Sequence, residues 1–512
     1  MDLEVFLRHH RLQSNPFAGE EAAQDGVFAR SGLSYRHPEY GRIRGDVAVP
    51  LTSLVFGERG AGKTALRMQV AAEYEAAAAE GEHRGTMPIV VDSFDGLLDR
   101  TGGLPTSADW IDRILSAAVP PLVDAALDEP LEGAARIPAG SLSEAMRQAG
   151  GREKRDLLVL QSIYDRVGEA RERTRRLRIA LRLGGRLRTG MYFWSGAILL
   201  AIGIGWLSFV ERQVGSFLEA WQRLAWQGLG VAVGLAGGIL LVRFLAREST
   251  LWKAARRVSR ACRAVGRGVI DLRLGFGQLR AGDLHRLPRG AALDERYELL
   301  ERLLRVVRTG GWRSVAIFVD RVDEPQSVAG EAGAMKALVW PIMDHAILQF
   351  PGFAFKVFLP LEVRALAEEE GNAFHRRARL DKQSVVERLE WSGPALFDLL
   401  MARIRACTIT GSPPPFLHTL FADDVTPQRI ADCLARLRAP RAACRFLHEV
   451  LLEHVNSQTE LTPHFQVSSA TLDTVLRRWE QGGGIAYRVG SGGARPAATV
   501  SSAVPGVLPP HP

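Results

Sequence analysis

The eight residues at positions 57–64, Gly-Glu-Arg-Gly-Ala-Gly-Lys-Thr, have the types and spacing of a loop that holds phosphate groups. Their three glycines permit positive φ angles, so backbone N–H groups can turn toward anionic oxygens. Lys63 would contact the β and γ phosphates of a nucleotide, and the Thr64 hydroxyl would bind Mg²⁺. The predicted phosphate site comprises Gly57, Gly60, Ala61, Gly62, Lys63, Thr64 and Ala65.

The lysine of this loop is informative because the chain uses arginine nearly everywhere else. Only six of its 65 basic residues are lysines, yet the position that must reach phosphate is Lys63. A compact ammonium fits a phosphate cradle that a broad guanidinium does not. The alternative is a glycine-rich turn between a strand and a helix with no ligand.

A nucleotide site of this kind also needs an acid at the end of a second strand. The apolar run 315–319 ends in Asp320, which would hold Mg²⁺ through water. Hydrolysis further needs an acid that orients water, and here Glu324 is the first candidate and Asp323 the second. Both are equally compatible with solvated acids at a helix start. Because Arg321 stands where an acid commonly follows, the sequence supports nucleotide binding more directly than turnover.

Arginines elsewhere could complete the site. Arg441 follows Pro440 at a predicted helix start and could touch the γ-phosphate, although a surface role is equally compatible. Arg376, Arg377 and Arg379 could act on a neighbouring protomer, but a solvated run of charge explains them more simply.

Alternating strand and helix patterns surround these residues. Apolar runs predict strands at 51–56, 88–92, 313–320, 353–359 and 384–391, with helical patterns between them. Such alternation favours a parallel sheet covered on both faces.

Two long uncharged runs interrupt this pattern. Residues 189–210 and 224–242 are each long enough to cross a hydrocarbon core of ~30 Å. Gly230, Gly234 and Gly238 would give the second helix a flat face for packing on the first. The alternative is a pair of buried helices in a soluble domain.

The basic charge is concentrated at the outer ends of these runs. Residues 171–188 and 243–267 each hold eight basic residues and one acidic residue, so the rest of the chain is net acidic. This placement argues against nucleic acid as a partner and for anionic lipid headgroups. We therefore expect two membrane spans, in a bacterial inner membrane. The positive-inside rule predicts that both termini lie in the cytosol.

Other signals agree with a cytosolic setting. The four cysteines form no C-x-x-C pair, so neither a disulfide framework nor a zinc site is indicated. The first residues lack the pattern of a secretory signal. We therefore predict an α/β P-loop NTPase fold with a parallel sheet, interrupted by a transmembrane hairpin and followed by a helical C-terminal domain. Its predicted segments are an irregular lead-in (1–50), the first NTPase half (51–188), the hairpin (189–242), a basic exit with the second NTPase half (243–393), the helical domain (394–481) and a disordered tail (482–512).

The loop at 57–64, the strand end Asp320-Arg321-Val322-Asp323 and the hairpin between them resemble the KAP group of P-loop NTPases. The resemblance covers roughly residues 15–460. It implies a membrane-anchored, cytosol-facing ATPase of the additional-strand class, related to STAND signalling ATPases. It also implies that Gly62, Lys63 and Thr64 bind ATP-Mg²⁺, that Asp320 completes the metal site, and that Ala439-Pro440-Arg441 is similar to a sensor-two element. Arg321 departs from the two consecutive acids typical of that group.

Three functions are compatible with these features. The first is a membrane-tethered ATPase switch in signalling or conflict response, whose expected partners are an unknown effector protein or further copies of the chain in a homo-oligomer. The second is a scaffold that binds ATP without significant turnover, as Arg321 suggests. The third is an ATP-driven transporter, which is disfavoured because neither apolar run contains a charged residue.

Overall fold

A computed structural model describes most of the chain. The described residues are 1–19, 22, 24–31, 35–79, 85–101, 104–129, 141–166, 170–183, 188–214, 219–277, 279, 281–290, 292–326, 328–343, 345–370, 383–458 and 463–481. Within them the chain divides into two compact units. One comprises the described residues of 21–390, and the other joins the described residues of 1–20 to those of 391–512.

The larger unit contains a parallel sheet of five strands in the described residues. The strands are β1 (Ser53–Gly57), β2 (Thr86–Val91), β3 (Ser314–Val319), β4 (Phe353–Pro360) and β5 (Ser384–Val386). Their spatial order is β2-β3-β4-β1-β5. One strand, β4, therefore lies between the strand that precedes the 57–64 loop and the strand that precedes Asp320. The predicted parallel sheet is confirmed.

Helices cover both faces of this sheet, as expected for parallel strands that are buried on both sides. The helices of this unit are α1 (Gly26–Ser31), α2 (Tyr40–Arg44), α3 (Lys63–Ala79), α4 (Asp95–Thr101), α5 (Ser107–Leu127), α6 (Ser141–Gln148), α7 (Gly151–Tyr164), α8 (Ala170–Ala180), α9 (Arg188–Phe209), α10 (Ala220–Ala261), α11 (Val269–Phe276), α12 (Ala281–Leu284), α13 (Leu293–Thr309), α14 (Ala332–Val339), α15 (His345–Leu348) and α16 (Leu361–Glu369).

Side chains of β3 alternate between the two faces, because successive residues of a strand point to opposite sides. Ala316 and Phe318 pack in the cluster that includes helix α3. Val315, Ile317 and Val319 pack in the larger cluster that includes helices α5, α7 and α13. The strand that carries Asp320 is thus fixed from both sides.

Helices α9 and α10 are the two helices long and apolar enough to cross a membrane in the described residues. Only 17% and 11% of their most apolar windows is buried inside the protein. Trp194 and Leu224, for example, have relative exposures of 66% and 75%. A pair of core helices in a soluble domain would instead bury these side chains. After Phe209 the chain forms one π-helical turn, Val210–Val214.

Glycines bring the two apolar helices into close contact, although not the full set expected from the sequence. A Cβ atom at Gly203 would lie 2.6 Å from the backbone nitrogen of Gly234, and one at Gly237 would lie 2.5 Å from that of Leu200. Gly230 also faces the first helix, whereas a Cβ at Gly238 would meet nothing within 4 Å. The inclusion of Gly238 in the packing face was therefore wrong, because that residue is rotated away from helix α9.

The second unit is helical, with α-helices at Leu3–His9, Gly393–Cys407, Pro427–Leu437, Pro440–Ser457 and Ser469–Gln481 and a 3-10 turn at Leu417–Leu420. The chain start joins this unit through backbone hydrogen bonds such as that from Gln13 N to Cys407 O at 2.8 Å. The first fifty residues, expected to be irregular, contain three short helices. The predicted disordered tail at 482–512 lies outside the described residues.

Candidate functional site

The 57–64 loop connects the buried strand β1 to helix α3 and has the backbone of a tight turn. Gly60 and Gly62 adopt φ angles of 84° and 91°, which residues with side chains rarely do. A Cβ at Gly57 would lie 3.1 Å from the Cβ of Leu389, so the loop start is also closely packed. Ala61 is buried, whereas Thr64 and Ala65 in the first helical turn are partly exposed. First-turn N–H groups have no intrahelical acceptor and so suit an anion.

Lys63 begins helix α3, and its side chain folds back over the loop. Its Nζ donates hydrogen bonds to the carbonyl oxygens of Gly57 at 2.7 Å and Glu58 at 3.1 Å. Burial lowers the pKa of Lys63, while the carboxylates of Asp323, Asp320 and Glu362 act in the opposite direction. These acids come from the ends of β3 and β4, so the structure brings both halves of the predicted site together.

Asp320 follows β3 directly and is almost fully buried. Its Oδ2 lies 3.4 Å from Nε of Arg67, on helix α3. Nη2 of the same arginine lies 3.4 Å from Oδ2 of Asp92, the residue after β2. Sequence reasoning missed Arg67 and Asp92. A signal for each existed: Arg67 lies one helical turn after Lys63, and Asp92 ends an apolar strand as Asp320 does.

The two candidate water-orienting acids are each paired with an arginine. Asp323 accepts a hydrogen bond from Nε of Arg59 at 3.1 Å, which links the strand end to the loop. Glu324 lies 3.5 Å from Nε of Arg321, and its side chain is 58% exposed. Arg321 itself has a φ of 62°, so the backbone turns sharply just after Asp320.

A segment after β5 supports the other side of the loop. The N–H of Leu389 donates to the carbonyl of Phe56 at 2.7 Å. Arg388 donates to a carboxylate oxygen of Glu58 at 2.6 Å. Strand β5 is three residues long, shorter than the predicted 384–391, because the chain turns here to contact the loop.

The remaining arginine candidates lie in the second unit or outside the described residues. Arg441 is exposed near the start of the helix Pro440–Ser457, in the second unit. Its approach to a γ-phosphate therefore remains a prediction. Arg376, Arg377 and Arg379 lie outside the described residues.

The residues at the loop fit Mg²⁺ bound together with a polyphosphate. A partly exposed hydroxyl at Thr64 and a carboxylate at Asp320 are oxygen donors of the kind Mg²⁺ prefers. Mg²⁺ commonly takes one or two carboxylates and completes its shell with phosphate oxygens and water. No cluster of three or more histidine, cysteine or acidic side chains suited to a metal occurs among the described residues.

Part of the basic charge that flanks the hairpin is used inside the protein. Arg173 is buried and forms ion pairs with Asp124 at 2.7 Å and Asp165 at 2.9 Å. Arg267, also buried, donates to the carbonyls of Gln161, Ser162 and Arg166. Other cations, including Arg175, Arg256 and Arg257, are exposed. The expectation that anionic lipid headgroups contact these blocks therefore concerns the exposed cations and stays a prediction.

Helix α5 links the strand-end acids to the second apolar helix. Arg113 donates to the carbonyl of Ser93, next to Asp92, at 2.9 Å. The preceding residue, Asp112, pairs with the fully buried Arg296 at 3.2 Å. Arg296 in turn donates to the carbonyl of Ala261, the last residue of helix α10, at 2.6 Å.

Comparison of the chain with protein-family models, with curated proteins and with solved structures finds no match.

Proposed function

We propose that this chain is a membrane-anchored P-loop NTPase that binds ATP-Mg²⁺ at the 57–64 loop and hydrolyses it as a switch. The observation that carries the proposal is the glycine loop itself, with Gly60 and Gly62 at positive φ and Lys63 beside the acids of strands β3 and β4. The position of β4 between the loop strand and the Asp320 strand supports the additional-strand class. The KAP group is the family proposed on these grounds.

In this proposal each residue has one task. Backbone N–H groups of the 57–64 loop and Nζ of Lys63 bind the phosphates. Thr64 and Asp320 would hold Mg²⁺, which neutralises negative charge on the phosphates when it is bound. Nζ now donates to two loop carbonyls, so it would exchange these for phosphate oxygens as the nucleotide enters.

The hairpin anchors this site to a bilayer, with the basic ends on the cytosolic side. Exposed cations at those ends would contact anionic headgroups. Contacts from Ser93 through Arg113, Asp112 and Arg296 to Ala261 support a switch, because they connect the site to the apolar helix α10. An effector protein or a second copy of the chain would respond to the conformational change of the switch.

An ATP-binding scaffold without turnover is the second candidate. The observation that favours it is the pairing of both sequence-predicted acids, Asp323 with Arg59 and Glu324 with Arg321. Release of phosphate from ATP by the purified protein would exclude the scaffold.

The test of the proposal is ATP-Mg²⁺ binding by the full-length protein in detergent, compared with Lys63→Ala. Because Lys63 supplies the positive charge of the proposed phosphate site, the variant should bind ATP-Mg²⁺ at least about tenfold more weakly. Lys154→Ala is the matched control, since Lys154 donates to Arg147 O on a different helix. Equal binding by the wild type and Lys63→Ala would overturn the proposal.

A further inference from the structure

The edge of the sheet carries an acid that the sequence-based assignment overlooked. Strands β2 and β3 are neighbours, with Val91 paired to Val319, so Asp92 and Asp320 leave the sheet side by side. The N–H of Asp320 donates to the carbonyl of Val91 at 3.2 Å, which fixes the two strand ends together. Both residues therefore lie at the carboxyl ends of their strands, on the side of the sheet where the 57–64 loop begins, and β3 and β4 stand between β2 and the loop strand β1.

One guanidinium contacts both carboxylates. The side chain of Arg67 is 8% exposed, and its two contacts to Asp320 and Asp92 are each 3.4 Å long. Charge-assisted hydrogen bonds of good geometry are ~2.7–2.9 Å, so this bridge is loose. Arg67, on the helix that follows the 57–64 loop, thus contacts both acids without a tight ion pair to either.

The acids differ in accessibility. The Asp320 side chain is 2% exposed, as suits a buried metal ligand, whereas that of Asp92 is 40% exposed and can reach water. Asp323 is 14% exposed and held by Arg59, and Glu324 lies beyond the left-handed turn at Arg321. Of these acids, Asp92 alone combines access to water with a partner shared with Asp320.

We propose that Asp92 is the acid that orients the attacking water, and that Arg67 is the residue that positions it beside Asp320. This inference rests on the proposed function. The water oxygen forms a bond to the γ-phosphorus, and the bond from that phosphorus to the β–γ bridging oxygen breaks. ADP leaves with the electron pair, and the proton of the water passes to the Asp92 carboxylate and then to solvent.

The test measures ATP-Mg²⁺ binding and phosphate release by the full-length protein in detergent. Asp92→Asn keeps the size of the side chain and removes its basicity, so kcat should fall roughly 100-fold or more with little change in ATP affinity. Asp99→Asn, an exposed acid on helix α4, is the matched control and should leave both quantities unchanged. Glu324→Gln should keep most of the turnover.

Arg67 is tested by two substitutions. Arg67→Lys keeps the charge but cannot bridge both acids, so kcat should fall while ATP binding remains. Arg67→Met should lower kcat further. If the two variants have similar melting temperatures, the lower kcat of Arg67→Met is not caused by unfolding.

The outcomes are distinguishable. Wild-type protein that does not bind ATP overturns the proposed function itself. Wild-type protein that binds ATP without releasing phosphate keeps the ATP site, overturns both the hydrolysis and the role of Asp92, and favours the scaffold. If Asp92→Asn keeps ATP turnover and Glu324→Gln loses it, the role of Asp92 is overturned, and Glu324 is the acid that orients the water.

Discussion

Lys356 lies in the middle of strand β4, next to β1, and should make stability depend on pH. Its side chain is fully buried, and Nζ donates to the carbonyls of Ile43 and Leu51, each at 2.7 Å, and to the Ser53 hydroxyl at 3.1 Å. Burial lowers the pKa of Lys356 from 10.5 to about 7. The perturbation is Lys356→Met, which keeps most of the volume and removes the ionisable group.

The direction in which stability changes with pH follows from the number of protons that each state binds. Between pH 7 and 10.5 the unfolded lysine is protonated while the folded one is largely neutral, so the unfolded state binds more protons. Stability should therefore rise with pH through this window and stay level below it. Each pKa unit corresponds to about 1.4 kcal/mol, so two pH units from 7 to 9 correspond to at most about 3 kcal/mol. The three acceptors around Nζ favour the ammonium and make this value an upper bound.

The assay is denaturant unfolding in detergent, followed by tryptophan fluorescence at pH 7, 8 and 9. The wild-type free energy of unfolding minus that of Lys356→Met should increase with pH. Lys253→Met, which removes an exposed lysine, is the control and should give a level difference. A level or falling difference for Lys356→Met would refute this account of the buried lysine.

Further predictions concern the hairpin and its anchor. Gly203→Ala should destabilise the protein by about 1–3 kcal/mol, because the added methyl group meets the backbone of Gly234, whereas Gly238→Ala should be neutral; melting temperatures in detergent would show this. Arg296→Met should cost about 3–5 kcal/mol by removing the cation beside the buried Asp112 carboxylate, and adding Asp112→Leu should recover part of that loss; equal melting temperatures for the single and double variants would contradict it. A cysteine in place of Arg223, in the predicted loop between the spans, should react with an impermeant maleimide added outside intact cells, and labelling only after lysis would reverse the orientation.

The sheet was predictable because its strands are short apolar runs between helical patterns. Residues 313–320 and 353–359 match β3 and β4 closely, since both strands are buried on two faces and so have little polar interruption. Strand β5 was predicted too long, because Leu389 bonds to Phe56 instead of extending the ladder. The end of strand β5 thus depends on a contact between two residues that are more than 300 positions apart in the chain.

The candidate site was predictable only where its residues are close together in the sequence. The glycines and Lys63 lie in one short loop, so their spacing reveals them. Arg67 and Asp92 become neighbours of Asp320 only through the strand order, which no local pattern encodes. In the hairpin, glycine spacing indicated a packing face but not its rotation, so Gly237 was missed and Gly238 wrongly included.

The most direct test of the account asks whether the 57–64 loop and Asp320, which are joined only by folding, form one site. ATP binding by full-length protein would be measured with and without Mg²⁺ for the wild type, Lys63→Ala and Asp320→Asn. Lys63→Ala should lose ATP binding under both conditions, and Asp320→Asn should lose only the strengthening by Mg²⁺. If Asp320→Asn kept the full effect of Mg²⁺, the two halves would not form a common ATP-Mg²⁺ site.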